Sequence, residues 1–279
     1  MSETAIQSYL DKWLAVQPQQ RIALAFVEPR RYPGHVALAA LEQELLGAAY
    51  GIREPQVAVA KLHWWAEELA GAAQSGGRHP LTQLLFADQR APQVSSERWL
   101  APVQAAMAQL EEGTAADFPA QLAAAEPLHG ALARLETAWW FGTQAPPERA
   151  IRIATLTHVL YALLRLEEDA ERDRLPLPMA RLARYGLSRV QLRQSSVARE
   201  QAIVEQLNDL LSAWDAASRL AGPLSAFRGL EARHGRWLTA HAARHPQPLL
   251  ALRQGQRRQG LSVTWQAWQA AREWRRQQG

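Results

Sequence analysis

The sequence predicts an all-α protein, and three observations lead to this prediction. Long stretches such as residues 37–50 are rich in the strong helix formers Ala, Leu, Glu and Gln. No stretch shows the alternation of apolar and polar residues that is typical of a half-buried strand. Apolar residues instead recur at helical spacing and mark one buried face, as in Val59, Leu62, Trp65 and Leu69.

Breakers and caps divide the helices of the first half. Gly51 ends the helix that covers residues 37–50, and Pro55 opens the next, at a first-turn position that tolerates a missing N–H. The glycines of residues 71–77 indicate a loop. Ser95 or Ser96 provides the next N-cap. The pattern predicts further helices at residues 80–85, from 96 or 97 to 110, and at 128–141, with a short segment at about 118–125.

The second half contains longer helices. Residues 148–171 form the longest and most apolar one, and Pro176 and Pro178 prevent it from continuing. A short segment reaches Leu187. With no internal repeat and no long linker, the economical prediction is a single domain over residues 1–279. Proline-containing residues 246–248 precede the last of the remaining helices, which we place at residues 195–221, 224–242 and 260–277.

Composition excludes several classes of protein. The chain has no cysteine, which rules out a disulfide framework, a Cys-ligated zinc site and a thiol nucleophile. The net charge is +4, and arginine supplies almost all of the positive charge. It fits a solvated mixed-charge surface, or anionic partners such as diphosphates and acidic lipids. No nucleic-acid-binding motif or basic run is present, so we expect no nucleic-acid partner.

The sequence also bears on location. No stretch approaches about 18 uninterrupted apolar residues, so we expect no transmembrane segment. The first residues lack the basic start and apolar core of a signal peptide. We therefore expect a cytoplasmic protein.

Eleven tryptophans are many for 279 residues. Trp64 and Trp65 are neighbours on a predicted helix, where side chains point about 100° apart. One ring of the pair then faces inward and the other faces a cleft or a partner. Core and interface packing explain the pair, while the functional alternative is an aromatic-walled apolar pocket that Trp64 and Trp65 line.

Several segments, in chain order, resemble the squalene/phytoene synthase family. Residues 61–69, which read KLHWWAEEL, resemble its R-x-x-W-W-r-e-x-L stretch, and residues 79–81 match the H-P that follows. Residues 164–178 resemble the second aspartate motif and its R-x-Y-L-P tail. Residues 264–272 are similar to the closing helix of the bacterial and mitochondrial branch. The resemblance covers about residues 20–272.

This resemblance implies an isoprenoid-synthase-type helical bundle around a central cavity. Active members condense two prenyl diphosphates head to head, and Mg²⁺ neutralises the departing diphosphate. Two Asp-x-x-x-Asp motifs on facing helices supply the carboxylates, because positions i and i+4 share a helix face. Mg²⁺ is therefore the cofactor expected of an active chain, and no cofactor is expected of an inactive one.

The first aspartate motif is missing from this sequence. Residues 41–51, where it belongs, read LEQELLGAAYG, and no aspartate occurs between Asp11 and Asp88. Glu42 and Glu44 diverge by about 200° on a helix, so together they cannot replace an i,i+4 pair. The simpler interpretation makes them exposed helix charges or salt-bridge partners.

The second motif survives in part. Registering the chain on Arg174 and Pro178 places Asp169 at the family's second aspartate and Arg165 where the first belongs. A cation at that position repels Mg²⁺ but can itself contact a phosphate. A literal Asp-x-x-x-Asp occurs one turn later, at Asp169 and Asp173. A solvated, salt-bridged helix end is the alternative interpretation of this charged stretch.

The resemblance therefore implies three sets of site residues. The candidate metal ligands are Glu168 and Asp169. The candidate diphosphate contacts are Arg165 and Arg174. The same register places two residues where active members carry polar amides, which makes them candidate cavity-lining residues, His158 and Tyr161.

Two functions follow from the resemblance. The first is a non-catalytic member that binds an isoprenoid or lipid, or acts as an assembly factor peripheral to a membrane with a membrane-associated protein partner. Its pattern resembles a divergent branch that includes a mitochondrial respiratory complex I assembly factor, and the missing first motif favours it. The alternative is a Mg²⁺-dependent prenyl-diphosphate transferase with an altered active site. A helical protein without any ligand is the third possibility.

Overall fold

The computed structural model describes residues 3–172 and 175–277, with the backbone alone for residues 3–5. Its α-helices are α1 (Glu3–Val16), α2 (Gln20–Val27), α3 (Pro33–Leu46), α4 (Pro55–Ser75), α5 (Pro80–Phe86), α6 (Ser96–Gln109), α7 (Phe118–Phe141), α8 (Glu148–Leu164), α9 (Leu166–Glu171), α10 (Met179–Arg184), α11 (Arg189–Leu192), α12 (Val197–Ala217), α13 (Ala226–Ala243), α14 (Pro248–Gln256) and α15 (Leu261–Gln277). No strand occurs within these described ranges, and the all-α fold class is confirmed. None of the described helices is both long enough and apolar enough to cross a bilayer.

Capping residues set several helix starts where the sequence predicts them. Pro55 and Pro80 occupy the first turns of α4 and α5. The hydroxyl of Ser95 accepts a hydrogen bond from the backbone N–H of Arg98 at the start of α6. Such a bond satisfies one of the N–H groups that a helix start leaves unpaired.

Helix α4 differs from the prediction at two points. It passes Gly71 and continues to Ser75, where Gly76 ends it with a φ of 84°, a conformation that glycine adopts readily. Val59 is 38% exposed rather than buried, because Ala58 takes the inward position at this end of the helix. The expectation that Val59 lies on the buried face is therefore wrong.

Helix α7 is one helix where the sequence predicts two. The segments 118–125 and 128–141 join, and Pro127 lies inside the helix. Proline supplies no N–H for the carbonyl of Ala123, but both residues are exposed. Water can therefore bind the freed carbonyl, which is how solvent-facing helix sides tolerate a lost bond.

The predicted helix at residues 148–171 is instead interrupted at Arg165, which separates α8 from α9. In an unbroken helix the Leu164 carbonyl would accept from an N–H four residues later. Here it accepts from the guanidinium of Arg253 on α14, at 3.3 and 3.4 Å. Arg253 also binds Glu167 at 2.9 Å. A distant residue thus stabilises the break.

The apolar core has two parts, and α7 and α13 contribute to both. The first part includes α3 to α6 and α15, and the second includes α8, α12 and α14. Leu132 of α7 and Leu230 of α13 belong to the first, whereas Leu122 and Leu238 belong to the second. Polar side chains that α7 and α13 bury therefore lie between two apolar regions.

Candidate functional site

Two partly open cavities meet at the break between α8 and α9. The first, which we call the Asp169 cavity, has a volume of about 170 Å³ and lies between α7, α8, α9 and residues 175–178. The second, which we call the Arg228 cavity, has a volume of about 200 Å³ and lies between α3, α8 and α13. Tyr50, His158 and Arg165 line both cavities, so they form the junction.

Tyr50 reaches this junction because the chain leaves α3 through a π-helical turn at Gly47–Gly51. Such turns occur often at functional sites. The ring of Tyr50 stacks on His158 with 4.6 Å between centroids, and His158 stacks on His129 with 4.2 Å. The Tyr50 hydroxyl lies 3.2 Å from Nε2 of His129. Three stacked rings thus build one wall of the junction.

Both histidines in this wall are neutral at neutral pH. Burial lowers the pKa of His158 to about 3, and the charge of Arg165 lowers it further. Burial also lowers the pKa of His129 well below its usual value, with smaller contributions from His158 and Arg228. The rings offer hydrogen bonds and flat surfaces, while the positive charge at the junction belongs to Arg165.

Arg165 and Asp169 form an ion pair across one helical turn. Their Nε and Oδ2 atoms are 3.5 Å apart, and the Arg165 side chain is 38% exposed, compared with 10% for Asp169. Asp169 lines the Asp169 cavity, whereas Glu168 is exposed and lines neither cavity. The two candidate metal ligands therefore point in different directions. Arg174 and Asp173 lie outside the described residues.

Arg228 lies at one edge of the Arg228 cavity and holds three carboxylates. It donates to both oxygens of Glu42 at 2.9 and 3.0 Å, to Glu136 at 2.9 Å and to Glu231 at 2.7 Å. One guanidinium does not neutralise three carboxylates. Burial raises the pKa of Glu42 and raises that of Glu231 to about 7, against the attraction of Arg228.

Sequence reasoning missed the Arg228 cluster. Glu136 stands in the apolar run LARLETAWW of α7, and Arg228 and Glu231 stand among the buried apolar residues of α13. Charged residues are rarely buried without partners, so single charges on an apolar helix face were the available signal. The sequence indicates a salt-bridge role for Glu42 but does not identify Arg228 as its partner.

Glu44 confirms the salt-bridge interpretation of the α3 carboxylates. It binds Lys12 at 3.1 Å and Lys61 at 2.8 Å, while Glu42 binds Arg228. The two glutamates face different partners because positions two apart on a helix diverge. They are not exposed helix charges, because the side chain of Glu44 is 8% exposed and that of Glu42 is 15% exposed.

The described residues form no preformed Mg²⁺ site. This ion takes near-octahedral oxygen ligands. Asp169 instead pairs with Arg165, and the three glutamates of the Arg228 cluster share one guanidinium. Within residues 3–172 and 175–277, no three His, Asp or Glu side chains are arranged so that they could hold a metal ion. A guanidinium fixed among carboxylates repels a second cation.

The candidate cavity-lining residues divide into two groups. His158 and Tyr161 line the Arg228 cavity, and the Tyr161 hydroxyl accepts a hydrogen bond from Nε2 of Gln19 at 2.6 Å. Trp65 is buried elsewhere in the core, and Trp64 is 39% exposed. Neither tryptophan lines the two cavities. The aromatic wall consists of a tyrosine and two histidines instead.

Glu68 joins the two segments that resemble the family near residues 61–81. Its carboxylate accepts hydrogen bonds from the backbone N–H of Arg78 at 2.6 Å and of His79 at 2.8 Å, and from the hydroxyl of Thr82 at 2.6 Å. Although burial opposes it, these bonds lower the pKa of Glu68 to about 2. The residues that resemble the family in this region therefore hold α4 against the start of α5, away from the two cavities.

Comparison with solved structures shows a similarity of fold. The chain is similar to squalene synthase HpnC from Alicyclobacillus acidocaldarius, with a TM-score of 0.57 over 97% of this chain and 95% of that chain. The sequence identity is 13%. No protein-family model and no curated protein sequence matches the chain. Similarity at this level concerns architecture rather than activity. The chain has the all-helical fold seen in squalene synthase HpnC.

Proposed function

We propose that the chain is a non-catalytic protein of the squalene/phytoene synthase fold that binds an isoprenoid or another lipid with an anionic head group. The position of Arg165 is the main observation that supports this proposal. Its side chain lines both cavities at their junction, at the position where the sequence register expects a metal-binding aspartate. A fixed guanidinium binds phosphate oxygens directly and in bidentate geometry, so it supplies the positive charge that a metal ion would otherwise bring.

The charge of Arg165 is available to a ligand. Its Nε–Oδ2 distance to Asp169 is 3.5 Å, longer than the ~2.8 Å of a strong charge-assisted bond. Arg172 lines the Arg228 cavity as well, which places a second guanidinium near a head group bound there. Arg228 lines the same cavity, but three carboxylates already occupy its donors.

Part of the Asp169 cavity suits an apolar chain, although polar side chains also line it. Its lining includes small and apolar side chains, among them Ala49, Ala125, Val159, Ala162 and Leu177. A dry cavity of about 150 Å³ admits a benzene-sized molecule. The two cavities have volumes of about 170 and 200 Å³, so a chain of several isoprene units has to extend through the junction into both.

The pairing of the carboxylates with arginines favours ligand binding over catalytic turnover. Departure of a diphosphate requires strong stabilisation of the developing negative charge. In active members of the family that the sequence resembles, carboxylate-bound Mg²⁺ supplies it. Here Arg165 and Arg228 engage the carboxylates at the corresponding helices. Service as an assembly factor for a membrane-associated protein is the finer form of this proposal, and it is supported by the sequence resemblance alone.

One observation favours the alternative, a Mg²⁺-dependent prenyl-diphosphate transferase. Asp169 is 7% exposed and lines the Asp169 cavity, as a residual metal ligand does. In that proposal Glu168 assists Asp169, and Arg165 and Arg174 contact the diphosphate.

Binding without metal tests the first proposal. The purified chain is titrated with farnesyl diphosphate in the presence of EDTA, and the affinity is measured by calorimetry. Arg165→Gln lowers the affinity roughly 10- to 100-fold, because a hydrogen bond to a charged group contributes about 1.5–3 kcal/mol. Arg134→Gln is the matched control, since Arg134 is exposed on α7 and lines neither cavity. An unchanged affinity of Arg165→Gln would show that the head-group assignment is wrong.

Turnover separates the two functions. The chain is incubated with Mg²⁺ and farnesyl or geranylgeranyl diphosphate, and pyrophosphate and head-to-head product are measured. We expect neither. Turnover that Asp169→Ala abolishes establishes the transferase and overturns the non-catalytic proposal.

A further inference from the structure

The exposed face of α15 carries apolar and basic side chains in one line. Leu261, Trp265, Trp268, Arg272 and Arg276 recur at helical spacing, and we call them the α15 stripe. Leu261 is 90% exposed and Trp265 is 58% exposed. The inner face of α15 fills the core with other side chains, namely Val263, Ala267, Ala270 and Trp274. Core packing therefore does not account for the stripe.

The side chains of the α15 stripe hold each other in place. The rings of Trp265 and Trp268 stack with 4.7 Å between centroids and 24° between planes. The guanidinium of Arg272 lies 5.2 Å from the centroid of Trp268. Because these contacts order the rings in advance, little side-chain entropy is lost when the stripe meets a surface.

The charge around α15 is predominantly positive. Residues 249–277 contain six arginines and a single carboxylate, Glu273. Arg149 and Arg233 bind that carboxylate, so it does not offset the exposed charge. Within the described residues, four of the arginines have no ion-pair partner, namely Arg257, Arg258, Arg272 and Arg276.

We propose that the α15 stripe docks on the surface of an anionic lipid bilayer. Tryptophan prefers the interface between hydrocarbon and water, and arginines beside it bind lipid phosphates. An amphipathic helix with aromatic and aliphatic residues on its exposed face and arginines around them lies in the plane of such an interface. Leu261 and Trp265 enter the head-group region, while the arginines supply attraction to the negative surface.

Charge distinguishes this surface from another exposed apolar region. On α4, Val57 is 54% exposed and Trp64 is 39% exposed. Charges of both signs surround them, including Glu67 and Lys61. That region lacks the excess of positive charge that a negative bilayer attracts.

The end of α14, which precedes α15 in the chain, contacts the lining of the Arg228 cavity. Gln256, in the last turn before α15, donates a hydrogen bond of 2.9 Å to the carbonyl of Val16. Val16 lines the Arg228 cavity. The docking proposal stands independently of what the cavity binds.

Sedimentation with vesicles tests the docking. The full chain is mixed with vesicles of phosphatidylcholine alone, or of phosphatidylcholine with phosphatidylglycerol, at low and high salt. We expect binding to the mixed vesicles only, and release by salt. Arg272→Gln weakens the binding about fivefold, and Trp265→Ser weakens it at least as much. Arg134→Gln and Val197→Ser, which change exposed residues of α7 and α12, leave it unchanged.

Three results overturn the proposal. The first is no binding to either vesicle. The second is equal binding to both, which removes the role of charge. The third is binding that Trp265→Ser and Arg272→Gln do not weaken, which assigns the contact to another surface.

Discussion

Arg228 and Arg165 both pair with carboxylates at helices where the sequence register expects metal-binding aspartates, yet their surroundings differ. The side chain of Arg228 is 4% exposed and binds Glu42, Glu136 and Glu231 at distances of 2.7–3.0 Å. The side chain of Arg165 is 38% exposed and meets Asp169 at 3.5 Å. We call the first site closed, because the side chain of Arg228 is buried and its donors are occupied by carboxylates. We call the second site open, because Arg165 is partly exposed where two cavities meet.

An arginine paired with a carboxylate therefore has a different role at each of the two sites. A buried charge is tolerated only when partners satisfy it, so the donors of Arg228 are committed to the fold. The pair of Arg165 and Asp169 is long and exposed on the arginine side, so Arg165 can exchange its partner with a small loss of stability. We therefore assign the proposed ligand binding to the junction and a structural role to the Arg228 cluster.

The largest effect is expected for Arg228→Met. Removal of the guanidinium leaves three buried carboxylates without their cation, so we expect the free energy of unfolding to fall by about 3–5 kcal/mol at pH 7. The matched control is Arg236→Met, whose exposed partner is Asp215, and its loss is less than about 1 kcal/mol. Urea denaturation followed by circular dichroism measures both. Equal losses in the two variants contradict the contrast between the closed and the open site.

The sequence anticipates the local features of this molecule and misses those that distant residues create. Pro55 and Ser95 set helix starts at predicted positions because caps act within one turn. The Arg228 cluster joins residues that are 186 positions apart, Glu42 and Arg228, and no local pattern signals that contact. The break at Arg165 likewise depends on Arg253, which binds the carbonyl of Leu164, 89 positions away.

The candidate site residues show the same division. The register of the second motif brings Arg165, Asp169 and His158 to the walls of the Asp169 cavity. Tyr50 was not predicted there, because its position follows from the π-helical turn at Gly47–Gly51. Helical spacing alone does not reveal such a turn.

The second expected effect is a dependence of stability on pH that Glu231 produces. Burial raises the pKa of Glu231 from 4.5 to about 7, so the folded chain binds more protons than the unfolded chain between these values. This contribution is fully present below pH 4.5, and it is lost as the pH rises to about 7. As the pH rises from 5 to 8, we therefore expect the free energy of unfolding of Glu231→Gln to increase by about 2 kcal/mol relative to that of the native chain.

Urea denaturation at both pH values measures this difference, and Glu67→Gln is the control because Glu67 is exposed. Buried histidines act in the opposite direction: burial lowers the pKa of His35 and His158 to about 3, so their contribution is lost as the pH falls below 6.5. That loss is common to all variants and cancels in the comparison. A difference that does not vary with pH contradicts the role of Glu231.

A smaller effect is expected for Tyr161→Phe, in the wall of the Arg228 cavity. The substitution removes the acceptor of the Gln19 amide at 2.6 Å, and Gln19 is fully buried. We expect a loss of about 1 kcal/mol, the usual net contribution of a hydrogen bond. Tyr185→Phe is the control, since its partner Glu205 is 28% exposed and water can replace the hydroxyl. A larger loss for Tyr185→Phe contradicts the assignment of the stronger constraint to the buried pair of Tyr161 and Gln19.

The smallest effect on stability is expected for Arg165→Gln, which also has the largest expected effect on ligand affinity. The pair with Asp169 is partly exposed and long, so the free energy of unfolding changes by less than about 1 kcal/mol. The same substitution removes the charge that we assign to the ligand head group. Urea denaturation and titration with farnesyl diphosphate, performed on one preparation, measure the two properties together. A loss of stability like that of Arg228→Met would place Arg165 among the structural arginines, because a residue that the fold requires is not free to change partners when a ligand binds.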